Sequence, residues 1–169
     1  MTKPTHIAFI LDGNGRWATK RMLPRNLGHK QGIKAIAETL KALKSQQIPY
    51  ASFFCFSTEN WHRSKDEVDG IMRLAESYFS KSIKFFLEND ISAEFFGDIT
   101  KLPPALQTQL KKVKNETANC KSLKAGFCIN YGGERGYFAR GQQIDRIGRK
   151  THHSAANFAQ FVYVNLSRS

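Results

Sequence analysis

The sequence has no apolar run close to the roughly 20 residues that span a bilayer, and it has only three cysteines. Cys55, Cys120 and Cys128 form no closely spaced pair, so the spacing of a zinc site is absent. Cys55 and Cys128 lie in strand-like runs, where we expect reduced thiols that pack as small hydrophobic side chains. Residues 1–4 lack a signal-peptide pattern, so we expect a cytoplasmic protein.

Acidic residues are also scarce, because 14 Asp and Glu stand against 26 Lys and Arg, which gives a formal net charge of +12. Such an excess favours a polyanionic partner: nucleic acid, phosphate groups or an anionic membrane surface. The segment 134–169 is denser in net charge than the segment 1–133. The rest of the composition, 41% apolar and 24% charged over 169 residues, is typical of one globular domain.

Strand and helix patterns alternate along the chain, which predicts an α/β fold with a mostly parallel central sheet flanked by helices. Ser64, with Glu67 three residues later, predicts a capping box at the start of the second long helix. Strands are predicted over residues 6–11, 50–56, 91–96 and 124–131, and helices over residues 26–47, 66–89 and 103–119.

Asp12 is the only acidic residue between positions 10 and 32, and it directly follows the first predicted strand. Ligands bind at the carboxyl ends of strands in folds of this class. Gly13 and Gly15 would let backbone N–H groups approach an anion, and a helix starting near Gly15 would add a favourable potential for phosphate. Asp12 would then hold a Mg²⁺ ion that bridges to diphosphate oxygens. The alternative is a solvated basic loop with a turn at Asp-Gly.

Nearby cations suit the same phosphate site, because Arg16, Arg25 and His29 can supply charge-assisted hydrogen bonds. A second polar turn, 57–63, follows the second predicted strand. There Ser57, Asn60 and Arg63 suit a phosphate or a polar reaction centre, and Trp61 offers a rigid apolar wall. A turn with an N-cap explains Ser57 and Asn60 without any function.

Four motifs together carry a resemblance to a known family: "LDGNGRWA", "GHKQG", "FSTENWHR" and "INYGG". In order and spacing, over about residues 6–133, the chain resembles the cis-prenyltransferases, whose best-known bacterial member is undecaprenyl diphosphate synthase. Members of this family condense isopentenyl diphosphate with an allylic diphosphate such as farnesyl diphosphate. Their products are cis-polyprenyl diphosphates. The resemblance implies a requirement for Mg²⁺, a homodimer and a product released at a membrane surface.

Roles for individual residues also follow from the resemblance. Asp12 would be the catalytic carboxylate associated with Mg²⁺, and Asn60 would stand where the family places its proton-accepting residue. An uncharged amide is a poor base, so its role would be mainly positional, and diphosphate could be the real base. The residues implied to bind substrate are Gly13, Asn14, Gly15, Arg16, Trp17, Arg25, His29, Ser57, Thr58, Glu59, Trp61 and Arg63.

The growing prenyl tail needs an apolar tunnel. Phe54, Phe56, Phe79 and Phe86, with the apolar helix faces, could line it, although core packing explains these residues equally well.

After Gly133 the motifs stop, and 134–169 forms an atypical basic tail beside a cis-prenyltransferase-like domain over 1–133. The arginine-rich motif to which the family binds isopentenyl diphosphate is not found, so we expect the C-terminal part of the fold to be missing. Reading the tail with one base removed permits an amphipathic helix instead, which suggests a frameshift near Gly133. The competing hypothesis is a genuine divergent tail.

Three functions remain in contention at this point. The first is a cis-prenyltransferase. The second is an inactive or truncated homologue that retains only the allylic diphosphate site. The third is a basic nucleic-acid-binding module, but the sequence has neither an RNA-recognition motif nor a helix-turn-helix pattern, so we expect no nucleic acid as partner.

Overall fold

The fold is built on a parallel sheet of four strands, seen in a computed structural model that describes residues 4–132. The strands run in the order β1-β2-β4-β3, and every neighbouring pair is parallel. All carboxyl ends therefore meet at one edge of the sheet, as the α/β prediction required. The strands are β1 (His6–Ile10), β2 (Tyr50–Ser57), β3 (Ile91–Phe96) and β4 (Leu123–Tyr131).

The helices begin and end within a few residues of the predicted positions. Gln47 adopts a left-handed φ of 55° just after α2, and Pro104 begins α4 at a position where proline loses no hydrogen bond. The helices are α1 (Asn14–Thr19), α2 (Arg25–Ser45), α3 (Lys65–Glu88) and α4 (Pro104–Glu116), with short 3₁₀ helices at Thr58–His62 and Ile99–Lys101. In the part of the chain that the structure describes, no helix has the length and apolar character needed to cross a membrane.

A row of stacked phenylalanines crosses the whole sheet. Phe53 stacks on Phe9 at 5.1 Å and on Phe127 at 5.5 Å, and Phe127 stacks on Phe95 at 5.7 Å. The register of the strands places these rings opposite one another. Phe79 of α3 meets Phe127 edge-on at 5.3 Å. Such aromatic pairs add to the burial of apolar area, so the row fixes α3 against the sheet.

The first strand is only partly buried. Only Phe9 of β1 is buried, and Ile10 is 37% exposed. The reason is the position of β1 at one edge of the described sheet, where it pairs with β2 alone.

All three cysteines are free, as expected. Burial raises the pKa of Cys128 to about 11, and burial followed by the nearby Cys128 raises the pKa of Cys55 well above its usual value. Both side chains are therefore neutral thiols at neutral pH. In the region 4–132 no three His, Cys, Asp or Glu side chains cluster in a way that could hold a metal ion.

Candidate functional site

Two polar turns lie side by side at the carboxyl edge of the sheet. β1 and β2 are neighbours, and a backbone hydrogen bond of 3.2 Å from Leu11 to Phe54 extends their pairing to the start of the first turn. Asp12 lies two residues after the end of β1, and the 3₁₀ helix Thr58–His62 follows β2 directly. The structure thus brings together the two turns that the sequence singled out separately.

The first turn holds Asp12 at the surface. Its carboxylate accepts a hydrogen bond of 2.6 Å from the N–H of Gly13 and one of 3.1 Å from the guanidinium of Arg16. The side chains of Asp12 and Arg16 are 70% and 74% exposed. Gly13 has a φ of 84°, which favours glycine, and α1 begins at the next residue, Asn14. An ion pair this exposed contributes little to stability, so the pair is available for a ligand.

Glycines allow α1 and α2 to approach closely. A Cβ atom on Gly28 would lie 1.9 Å from the carbonyl oxygen of Asn14, and one on Gly32 would lie 2.6 Å from the Asn14 amide nitrogen. A Cβ atom on Gly15 would lie 2.9 Å from the guanidinium of Arg25. Gly28 and Gly32 of "GHKQG" therefore leave the space that Asn14 occupies, and Gly15 leaves the space that the Arg25 side chain occupies. The sequence alone offered no reason for Gly28 and Gly32.

The second turn is a capped turn, as the alternative interpretation of Ser57 and Asn60 proposed. Ser57 caps the 3₁₀ helix, and its N–H donates to the side-chain oxygen of Asn60 at 3.0 Å. Thr58 and Glu59 lie exposed at the start of this helix, where Thr58 donates to the Glu59 carboxylate at 3.3 Å. The Ser57 hydroxyl is the main cause of a lowered pKa for Glu59. The side-chain oxygen of Asn60 therefore already accepts a hydrogen bond within the turn.

The capping box predicted at Ser64 and Glu67 is only half present. Ser64 accepts a hydrogen bond from the N–H of Glu67 at 3.4 Å. No described hydrogen bond returns the Glu67 side chain to Ser64. The carboxylate of Glu67 instead turns toward three basic side chains from α2 and from the residue just before Ser64.

Those three side chains converge on one oxygen of Glu67. Its Oε1 atom lies 2.8 Å from Arg63, 3.5 Å from Arg25 and 3.5 Å from Nε2 of His29. Glu67 is only 13% exposed. Burial acts to raise its pKa, but the hydrogen bond from Arg63 and the charges of Arg25 and Arg63 outweigh burial, so the pKa is lowered. Sequence reasoning missed Glu67 as a site residue; its spacing of four from Arg63 was the available signal.

His29 stays neutral within this cluster. Burial lowers its pKa more than the nearby Glu67 carboxylate raises it. Its Nε2 atom is buried and has no hydrogen-bond partner among the described residues, because the contact with Glu67 is long. A buried polar atom without a partner is costly, so His29 is ready to accept a new partner when side chains in the cluster separate.

We expect Glu67→Gln to reduce the free energy of unfolding at pH 7 by about 1–2 kcal/mol, between the values for exposed and fully buried ion pairs. Because folding lowers the Glu67 pKa, its stabilisation is present above the unfolded value of about 4.3. It is lost as the pH falls through the folded pKa. Urea unfolding from pH 7 to pH 3 measures this. Asp69→Asn, which breaks the more exposed pair with Lys65, is the control, and an equal effect from both variants would contradict the prediction.

An apolar cavity of about 110 Å³ opens beside the cluster. Phe56 and Phe79 line it, as predicted. Phe54 and Phe86 do not: Phe54 packs against Tyr131, and Phe86 is fully buried against Phe127. Core packing, the alternative weighed for these residues, therefore explains Phe86. The polar residues that border the cavity are Asn14, His29, Asn60 and Arg63, and its apolar walls include Ile36, Ile71, Ala75 and Tyr78.

The remaining predicted site residues lie outside this cavity. Trp17 carries the Arg21 guanidinium over its ring at 4.4 Å, and Trp61 packs edge-on against Phe56 at 5.2 Å. Asp12 and Arg16 lie on the exposed side of the first turn.

Comparison with known proteins places these features in a family. The family model described as "Putative undecaprenyl diphosphate synthase" matches residues 10–168. An isoprenyl transferase of Clostridium tetani is 42% identical over 130 residues, which make up 77% of this chain and 51% of that protein. An isoprenyl transferase of Fusobacterium nucleatum is 34% identical over 165 residues, which make up 95% of this chain and 69% of that protein. The chain spans about half the length of several curated relatives that it matches.

Solved structures agree with the expected fold. Lavandulyl diphosphate synthase from Lavandula x intermedia, in complex with dimethylallyl diphosphate, matches with a TM-score of 0.78 at 24% identity, over 91% of this chain and 66% of that one. A probable undecaprenyl diphosphate synthase from Campylobacter jejuni matches with a TM-score of 0.69 at 25% identity, over 93% and 68%. The first of these supports the fold alone.

The family match extends to residue 168, beyond the last quoted motif. The predicted tail over 134–169, and the hypotheses of a frameshift or a divergent tail, lie outside the described residues and stay predictions. The parallel sheet, the four motifs and the extent of both family matches lead to one conclusion: the chain belongs to the undecaprenyl diphosphate synthase family of prenyltransferases.

Proposed function

We propose that this site binds the diphosphate of an allylic substrate, such as farnesyl diphosphate, for condensation with isopentenyl diphosphate into a cis-polyprenyl diphosphate. The observation that carries the proposal is the convergence of Arg25, His29 and Arg63 on Glu67, beside an apolar cavity that His29 and Arg63 line. A prenyl diphosphate has the matching shape, with an anionic head and an apolar tail. The cations of Arg25 and Arg63 would hold the head together with a hydrogen bond from the neutral His29, and the cavity would admit the tail.

The cluster would have to rearrange to bind a diphosphate. In the described structure Glu67 occupies the space between the three basic side chains. A diphosphate would compete with Glu67 for Arg25 and Arg63, and His29 would gain the acceptor that it lacks. The cavity of about 110 Å³ is also smaller than the roughly 300–1,000 Å³ of typical ligand pockets. We therefore expect α2 and α3 to move apart when the tail enters.

Asp12 fits the role of a Mg²⁺ ligand. Its carboxylate is exposed, and Mg²⁺ commonly binds one or two carboxylates together with substrate phosphates, so a single acidic side chain is sufficient. When bound, Mg²⁺ would stabilise the negative charge that develops on the departing diphosphate. Arg16 beside Asp12 would contact the same head group, and the backbone N–H groups of the Gly13 turn would lie next to it.

The chain's own residues would act mainly by positioning. Arg25 and Arg63 would stabilise the charge on the leaving diphosphate, which leaves the allylic carbon electron-poor and open to attack by the isopentenyl double bond. Asn60 would orient substrate rather than take the proton, because its amide is uncharged and its oxygen already accepts from Ser57. The departing diphosphate would then accept the proton that the condensation releases. The proposal includes the homodimer that the resemblance implies.

A second candidate is an inactive or truncated homologue that keeps only the allylic site. It is favoured because the arginine-rich motif that the resemblance assigns to isopentenyl diphosphate is not found in the sequence. Both candidates require an allylic diphosphate to bind, and only the first requires turnover.

We expect the chain to bind farnesyl diphosphate with Mg²⁺ and to bind farnesol at least ten times more weakly. Arg25→Ala should weaken binding of farnesyl diphosphate about ten- to a hundredfold, because the substitution removes a charge-assisted hydrogen bond. Isothermal titration calorimetry measures both. Arg73→Ala, an exposed arginine on α3 that does not line the cavity, is the control. Equal affinity for farnesol and farnesyl diphosphate would refute the proposal.

A further inference from the structure

One quoted motif, "INYGG", contributes only the wall residue Ile129 to the proposed substrate site, and its Asn130 lies outside the cavity. Asn130 is 4% exposed and has a left-handed φ of 51° next to the end of β4. Asparagine tolerates this conformation better than most side chains. A sparsely populated backbone conformation costs free energy and persists only where surrounding contacts hold the residue in place.

The Asn130 amide joins three strand ends. Its oxygen accepts a hydrogen bond of 2.8 Å from the indole N–H of Trp61, and its nitrogen donates one of 2.8 Å to the carbonyl oxygen of Asp98. An indole N–H can only donate and a carbonyl can only accept, so these partners fix which way the amide points. Trp61 follows β2, and Asp98 follows β3.

The backbone around Asn130 is fitted to the same junction. The N–H of Asp98 donates to the carbonyl oxygen of Asn130 at 3.2 Å. A Cβ atom on Gly97, which has a φ of 120°, would lie 1.9 Å from the carbonyl oxygen of Ile129. Only glycine therefore lets the end of β3 close against β4 and present Asp98 to the amide.

Trp61 lies between the two residues of its turn that border the cavity, Asn60 and Arg63. Its ring is 37% exposed and touches Phe56 edge-on. The hydrogen bond from the Trp61 indole to Asn130 thus connects the middle of the turn to the sheet. The hydrogen bond from the Ser57 N–H to Asn60 stabilises the start of the turn. The turn would otherwise be held at its first residue and at the base of α3.

We propose that Asn130 is a positioning residue: its amide fixes the Trp61 indole and thereby the turn that presents Asn60 and Arg63 to the allylic diphosphate. The link to substrate rests on the proposed function. The link to Trp61 is independent of it.

The first test follows Trp61 by its fluorescence. The chain has two tryptophans, so in a Trp17→Phe background Trp61 is the sole emitter. Asn130→Gly keeps the left-handed backbone and deletes the amide. We expect emission at longer wavelength, stronger quenching by acrylamide, and an affinity for farnesyl diphosphate about tenfold lower, as for one lost hydrogen bond.

A conservative variant separates positioning from support of the fold. Asn130→Asp keeps an oxygen for the Trp61 N–H but turns a second oxygen toward the carbonyl of Asp98. We expect a lower melting temperature, with Trp61 emission and farnesyl diphosphate affinity within about twofold of the parent below that temperature. Gln47→Gly replaces another left-handed residue, far from the site, by glycine, and should change neither emission nor affinity.

Trp61→Phe supplies the partner variant. In the Trp61→Phe background, Asn130→Gly should cause no further loss of affinity, because the bond to Trp61, through which the amide acts on the turn, is already absent. The proposal is overturned if Asn130→Gly folds with unchanged Trp61 emission and affinity, or if Asn130→Asp loses both to the same extent. If Asn130→Gly does not fold, Trp61→Phe alone decides: it deletes the same bond and should lower the affinity for farnesyl diphosphate about tenfold, and an unchanged affinity would overturn the proposal. If even the parent fails to bind farnesyl diphosphate, the proposed function fails, and the emission measurements still decide the role of Asn130.

Discussion

Replacing Asp12 by alanine is expected to reduce prenyl transfer at least a hundredfold, the scale on which a single group that stabilises transition-state charge acts. The melting temperature should hardly change. Asp12 is exposed, and its ion pair with Arg16 is worth about 0–1 kcal/mol at most. The loss would therefore fall on the chemistry and not on the fold.

Two companion variants sharpen this experiment. Asp12→Asn keeps an oxygen that can accept from the N–H of Gly13, so it preserves the turn and removes only the charge; we expect the same loss of activity. Asp69→Asn breaks an exposed ion pair of the same sequence spacing on α3 and should leave activity unchanged. The assay is transfer of radiolabelled isopentenyl diphosphate to farnesyl diphosphate with Mg²⁺, in a version of the protein that is active. Full Mg²⁺-dependent turnover of Asp12→Ala would show that the assignment is wrong.

The 169-residue chain itself is expected to bind an allylic diphosphate weakly and to transfer isopentenyl units at a negligible rate. Condensation requires both substrates to be held in line, and such positioning can lower the barrier by roughly 7–11 kcal/mol. The described site provides one cluster of cations, around Arg25 and Arg63. The arginine-rich motif that the resemblance assigns to isopentenyl diphosphate is absent from the printed sequence. One diphosphate site cannot supply this positioning for two substrates.

The measurement compares the printed chain with a version in which the reading frame after Gly133 is shifted by one base. Both receive isopentenyl diphosphate, farnesyl diphosphate and Mg²⁺, and the polyprenyl products are separated by chromatography. Product from the shifted version alone would support an interrupted cis-prenyltransferase. Comparable product from both would refute the prediction and show that the shorter chain contains a complete site. The nucleotide sequence across the codons for residues 130–140 tests the frame independently.

Much of the fold could be predicted from local signals. The periodicity of apolar residues predicted the helices, and Pro104 lies at the first position of α4, where proline is well tolerated. Alternation of strand and helix gave the parallel sheet. A parallel sheet also places the turns after β1 and β2 at the same edge, and the structure shows that these two strands are neighbours.

The candidate site was predicted only in part, because its contacts join distant segments. Asn130 and Trp61 are 69 residues apart in the chain, and no periodicity relates them. Phe54 and Phe56 occupy the same strand, yet only Phe56 reaches the cavity, because a register irregularity between these residues interrupts the regular alternation of faces.

By itself, the sequence determined the kinds of element, their order and the residue types available at each strand end, since these depend on neighbours a few positions away. The tertiary structure decided which side chains meet. Ser64 and Glu67 have the pattern of a capping box, but the approach of α2 brings Arg25 and His29 to the Glu67 carboxylate. A buried carboxylate gains more from paired cations than from a backbone N–H that water can satisfy. The partners of the Glu67 carboxylate therefore depend on the distance between α2 and α3, which a local sequence pattern does not specify.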